Sequence, residues 1–189
     1  MRRALLLLCA LIAVTACNRG DAAPARFGFG RAATPAEIQK IDIDAGPDGV
    51  GLPAGSGTAM TGAAIYAAKC AACHGPAGEG TAVAGALVGR IPNDSFTFAT
   101  SPGNERRKTV GSWWPCAPTL YDYVHRAMPF DKPGTLTPDE VYSVVAFVLA
   151  KNAIIKDDFV IDATSLPAVR MPSRDRFVPD DREKSNRVR

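Results

Sequence analysis

Residues 70–74 read Cys-Ala-Ala-Cys-His, and this pentad restricts the fold more than any other stretch of the 189-residue chain. Two thiols separated by two residues can add to the two vinyl groups of a haem, and the adjacent His74 is then placed under the iron as the proximal ligand. The surroundings suit that use. From Met60 to Ala72 the run AMTGAAIYAAKCA is Ala-rich and compatible with a helix leading into Cys70, while Gly75 and the following PAGEG supply the turn by which the chain leaves the porphyrin. A thioredoxin-like redox pair needs a βαβ setting, which the sequence lacks. A zinc site made by Cys70, Cys73, Cys116 and His125 has the right number and kind of ligands, but it leaves His74 unexplained, and Cys116 and His125 lack the short spacing usual for zinc.

A haem held by His74 needs a second axial ligand, and one stretch, WWPCAPTLYDYVHRAMPF from 113 to 130, carries three candidates: Cys116, His125 and Met128. Residues 118–127 can form a helix, and Pro129 disfavours helical geometry in the residue before it, which puts Met128 at the helix exit. A thioether there can point inward without carrying charge into an apolar pocket. His125 would share the face of Met128 only if the helix continued, so the expected distal ligand is Met128. Trp113 and Trp114 either wall the pocket or offer an indole N–H to a haem propionate. Arg106, Arg107 and Lys108 read first as a solvated loop, with balancing of the propionates or docking of a partner as the alternatives.

The remaining order is helical. Thr137 is an N-cap, Pro138 fits the first helical position and Glu140 completes a capping box. Val141, Val144, Val145, Val148 and Leu149 then recur at helical spacing, with Phe147 widening the apolar face. Gly62, expensive inside a helix, is expected where the first helix packs closely against this last one, with Tyr66 and Phe147 in the same contact. Thr34-Pro35-Ala36-Glu37 reads as the start of a short helix. The Gly-rich GPDGVGLPAGSG has neither a strand before it nor Lys-Ser/Thr after it, so it is no phosphate loop. No stretch alternates as a strand would, and the fold class expected is all-α.

The ends differ from this body. MRRALLLLCALIAVTAC joins Arg2 and Arg3 to an apolar run from Ala4 to Ala16, shorter than the roughly 20 residues that span a bilayer, and reads as an export signal, residues 1–16. Val14-Thr15-Ala16-Cys17 is similar to a bacterial lipobox, with Cys17 as the lipid-bearing mature N-terminus; cleavage after Ala25 is the other route, and both export the chain. Residues 17–58 form an anchor site and linker or wrapping arm, 59–152 the helical domain, and 153–189 a tail whose first half wraps the domain and whose end is disordered. There are 22 Lys and Arg against 19 Asp and Glu, two of the former being Arg2 and Arg3, so nothing in the charge points to nucleic acid. With Cys9 gone and Cys17 lipidated or lost, three cysteines remain, which is no disulfide framework.

On the CxxCH, the Met128 loop and the two terminal helices, residues 59–152 resemble a class I c-type cytochrome. FGFGRAATPAEIQKIDID, DGVGLPAGSG, KTVGSWWPCAPTLYDYVHRAMPFDKPGTLTPDEVYSVVAFVLA and LPAVRMPSRDRF are together similar to the cytochrome subunits of sulfane dehydrogenases and related sulfite dehydrogenases. The resemblance implies a class I cytochrome c fold with one covalently bound haem c, attached through Cys70 and Cys73 and ligated by His74 and Met128. It further implies a periplasmic acceptor of electrons from a molybdenum-cofactor subunit that oxidises sulfane sulfur or sulfite, and a downstream acceptor. One CxxCH leaves no place for a second haem. Cys116 stands where the family is expected to carry an aromatic residue.

Overall fold

The computed structural model describes residues 29–89 and 108–178; the leader with Cys17, Arg106 and Arg107, and the end of the tail lie outside them. The chain divides into two compact units, up to Gln39 and from Lys40 onward. Helix α1 (Pro35–Ile41), which spans that division, begins as the sequence predicts: Thr34 N–H donates to Glu37 Oε2 at 2.8 Å and Glu37 N–H donates to Thr34 Oγ1 at 3.3 Å.

The second unit is built on α6 (Pro138–Lys151), whose capping box is formed as expected, with Thr137 N–H donating to Glu140 Oε2 at 2.9 Å. Every residue from Val141 to Leu149 is buried. The sequence suggests a single apolar face; the helix is instead enclosed all round, because neighbours pack on several sides. These are α2 (Ala59–Lys69), α4 (Val110–Trp113), α5 (Ala117–Ala127) and a two-residue antiparallel pair, β1 (Ser56–Gly57) with β2 (Ile161–Asp162), in the register Gly57 to Ile161.

The α2–α6 crossing is made close by glycine. A Cβ added to Gly62 would lie 1.9 Å from Ser143 O, and one added to Gly57 would lie 2.3 Å from Ser143 N. Tyr66 and Phe147 pack beside this crossing with ring centroids 4.7 Å apart. Lys69 Nζ, at the end of α2, donates to Glu140 Oε1 at 2.9 Å. The Thr137 N–H and then Lys69 hold the Glu140 carboxyl below its ordinary value of 4.5. A depressed carboxylate stabilises the fold fully above its unfolded value and loses that contribution as pH falls through the folded one. Acid titration of stability is therefore expected to show a loss below about pH 4.5 that shrinks in Glu140→Gln, measured as the denaturant midpoint against pH.

Segments distant in sequence complete the body. Buried Asp122 on α5 accepts from Ala45 N–H at 2.9 Å and pairs with Arg126. After α6, Ile161, Leu166, Met171 and Ser173 are buried, and Ser173 Oγ donates to Trp114 O at 2.8 Å. Asn152, at the C-cap of α6, donates from Nδ2 to Leu87 O at 3.1 Å and accepts from Gly89 N–H at 3.2 Å, tying the loop after residue 75 to the central helix.

Candidate haem site

Helix α2 ends at Cys70, where the backbone leaves helical geometry, and the chain re-enters a single turn, α3 (Ala71–His74). The Cys73 and His74 N–H groups both donate to Cys70 O, at 3.1 and 3.0 Å. Cys73 and His74 thus lie on a single turn that Cys70 opens. Gly75 follows with φ +80°, a conformation that L side chains rarely adopt, and its carbonyl accepts from the buried Tyr66 hydroxyl at 3.0 Å. Cys70 and Cys73 are both unpaired. Burial, offset in part by Lys69, pushes the Cys70 thiol up to about 11, so at neutral pH it stays protonated and slow to oxidise.

His74 is oriented by its backbone neighbours. Its Nδ1 lies 3.0 Å from Gly85 O. A carbonyl can only accept, so in the neutral ring Nδ1 carries the proton and Nε2 keeps the lone pair, the tautomer that ligates a metal through Nε2. On the other side, α5 ends at Ala127 and Met128 is extended, φ −123° and ψ 148°, while its N–H still donates to Val124 O at 3.1 Å. The peptide to Pro129 is cis. Met128, Cys70, Ala71, Ile65, Leu87 and Trp114 are all partly buried against the same core cluster. The helix exit expected from Pro129 is thus present.

Of the other candidates, Cys116 is engaged elsewhere, whereas His125 keeps a buried Nδ1 with no hydrogen-bond partner. His125 packs against Tyr121 with ring centroids 5.7 Å apart, and Tyr121 in turn packs on Tyr142 at 4.4 Å. Cys116 caps the start of α5, and its sulfur accepts from Arg174 in the tail. Among the described residues no three His, Cys, Asp or Glu side chains gather as a metal site. Trp114 gives its indole N–H to Thr119 Oγ1 at 3.0 Å, and Trp113 lies under Lys108 Nζ at 4.5 Å, so Trp114 serves the wall and not a propionate. The Arg174–Cys116 and Ser173–Trp114 contacts had no signal in the sequence beyond the apolar residues scattered through the tail.

The residues therefore fit a covalently bound haem: two unpaired thiols on one turn, an imidazole with its Nε2 free, and a thioether at a helix exit on the edge of the same core. Helices around an N-terminal CxxCH, with a methionine loop before the last helix, define a class I cytochrome c. Residues 57–148 match the family described as cytochrome C oxidase, cbb3-type, subunit III. No curated protein matches the chain. Among solved structures it is similar to the sulfane dehydrogenase SoxCD from Paracoccus pantotrophus, at 41% identity and a TM-score of 0.70, over 85% of this chain and 76% of that one. Within the c-type cytochromes, the chain belongs to the SoxD-like cytochromes. It is an electron-transfer protein that binds haem c.

Proposed function

We propose that this cytochrome carries one haem, attached through Cys70 and Cys73 and ligated by His74 and Met128, and that it takes electrons from a molybdenum-cofactor subunit oxidising sulfane sulfur. The observation that carries the site assignment is the His74 Nδ1 to Gly85 O hydrogen bond beside two unpaired thiols, which leaves Nε2 free on the residue that follows Cys73. The similarity to SoxCD supports the assignment of partner and of sulfur chemistry.

A haem bound there supplies one-electron exchange between Fe(II) and Fe(III). The chain's own residues make that exchange outer-sphere. His74 and Met128 would hold the iron of a bound haem, so that no sulfur compound or oxygen would need to reach the metal. A neutral thioether paired with an imidazole would favour Fe(II) and raise the potential, which suits an acceptor. Electrons leave for a downstream acceptor. Export through the leader, with lipidation at Cys17, would place the protein in the periplasm at a membrane surface.

The purified chain alone is expected to turn over neither thiosulfate nor sulfite, and to co-purify in fixed ratio with a molybdenum-cofactor protein that reduces it when given a protein-bound sulfane sulfur. Turnover by the isolated chain would overturn the division of labour. A partner that reduces it with sulfite instead would reassign it to a sulfite dehydrogenase, and isolation always as a free monomer would make it a soluble shuttle.

A further inference from the structure

The loop carrying the carbonyl that orients His74 is pinned at two ends. At the far end, Gly78 O accepts from the N–H groups of Leu87 and Val88, at 2.8 and 2.9 Å, and Leu87 O accepts from Val110 N–H at 3.1 Å and from Asn152. At the near end stands Thr81. Its hydroxyl donates to Cys73 O at 2.6 Å and accepts from Val83 N–H at 3.0 Å, while its own N–H donates to Ala84 O at 2.9 Å. One side chain thus joins the turn that bears Cys73 and His74 to the short bend 81–84 that delivers Gly85 O to His74 Nδ1. Gly80 brings these strands of backbone together: with φ +86° its N–H donates to His74 O at 2.8 Å, and an added Cβ would lie 2.7 Å from Ala86 N.

We infer that Thr81 is a positioning residue that sets the electron-donating strength of His74, through the Cys73 carbonyl on one side and the Gly85 carbonyl on the other. The inference rests on the reading of His74 as the proximal ligand. An imidazole that donates its Nδ1 proton to a well-placed carbonyl is a more basic ligand at Nε2 and so favours the oxidised metal. Loosening the 81–84 bend weakens that donation. The predicted shift is therefore toward Fe(II), a higher midpoint potential.

The test compares Thr81→Val, which keeps the shape and removes the hydroxyl, with Thr81→Ser, which keeps the hydroxyl, in the haem-loaded protein. Thr81→Val is expected to speed solvent exchange of the His74 Nδ1 proton, followed by NMR, about three- to tenfold, the range that loss of one hydrogen bond allows. In a redox titration it is expected to raise the Fe(II)/Fe(III) ratio at fixed applied potential. Thr81→Ser should match the unaltered protein in both. Should Thr81→Val fail to accumulate as holoprotein, Thr81→Ser still decides the matter, because a shifted potential with the hydroxyl retained overturns the proposal. So does unchanged exchange and potential in Thr81→Val, even with lowered stability. If His74 is not the ligand at all, that shows first in the unaltered protein, as an Nδ1 proton without the hyperfine shift of an iron-bound imidazole.

Discussion

Met128→Ala is expected to leave the haem covalently attached while opening one face of the iron. The reduced variant should bind carbon monoxide readily where the unaltered protein resists it. The midpoint potential should fall by on the order of 200 mV, a fraction of the roughly 0.8 V that axial ligands command. Both effects follow from Met128 standing at the exit of α5, extended and partly buried on the core that also holds Cys70. Cys116→Ala and His125→Ala serve as the comparison. Cys116 contacts Arg174 and His125 packs on Tyr121, so neither substitution should alter the ligand field. Carbon monoxide binding and potentiometry on the three variants decide the assignment, and an effect confined to Cys116→Ala would reverse it.

The second large effect concerns the fold. Gly62→Ala in an ordinary exposed helix position would stabilise by about 1 kcal/mol. At this crossing the sign is expected to reverse, with a loss of about 3 kcal/mol. The added Cβ would meet Ser143 O at 1.9 Å, Ser143 C at 2.5 Å and Phe147 Cβ at 3.0 Å, and two of these atoms are backbone that no rotamer change can move. Relief requires α2 and α6 to separate. Because α2 ends directly at Cys70, that separation would also displace the thiols, and the yield of holoprotein should fall along with the thermal midpoint. A midpoint unchanged or raised in Gly62→Ala would show that the crossing is looser than the structure has it.

What the sequence made legible and what it concealed divide along a physical line. The pentad at residues 70–74, the capping box of Thr137 and Glu140, the stop imposed by Pro129 and the glycine at the helix crossing are all local signals, in which neighbouring residues state the geometry. The enclosure of α6 on every side was not legible, since periodicity reports one face and burial of the rest depends on segments far along the chain. Two-residue strands such as β1 and β2 have no periodicity to detect. The Asp122 link to Ala45, the Asn152 clamp on Leu87 and the Arg174 contact to Cys116 each join residues far apart in sequence by a single hydrogen bond. Thr81 is concealed for a different reason: an isolated threonine in a Gly-Ala-rich loop looks like any turn residue until the carbonyl it holds is seen.

The docked tail bears on the order in which the protein can be assembled. Gly57 pairs with Ile161, Trp114 O waits for Ser173, and the core lacks Leu166 and Met171 until both have been made. Contacts of such long sequence separation form late, after the entropy of closing the intervening loops has been spent. The turn from Cys70 to His74, by contrast, forms from neighbours alone. Closure of the body around residues 70–74 therefore depends on the tail, whereas the hydrogen bonds within the turn itself do not.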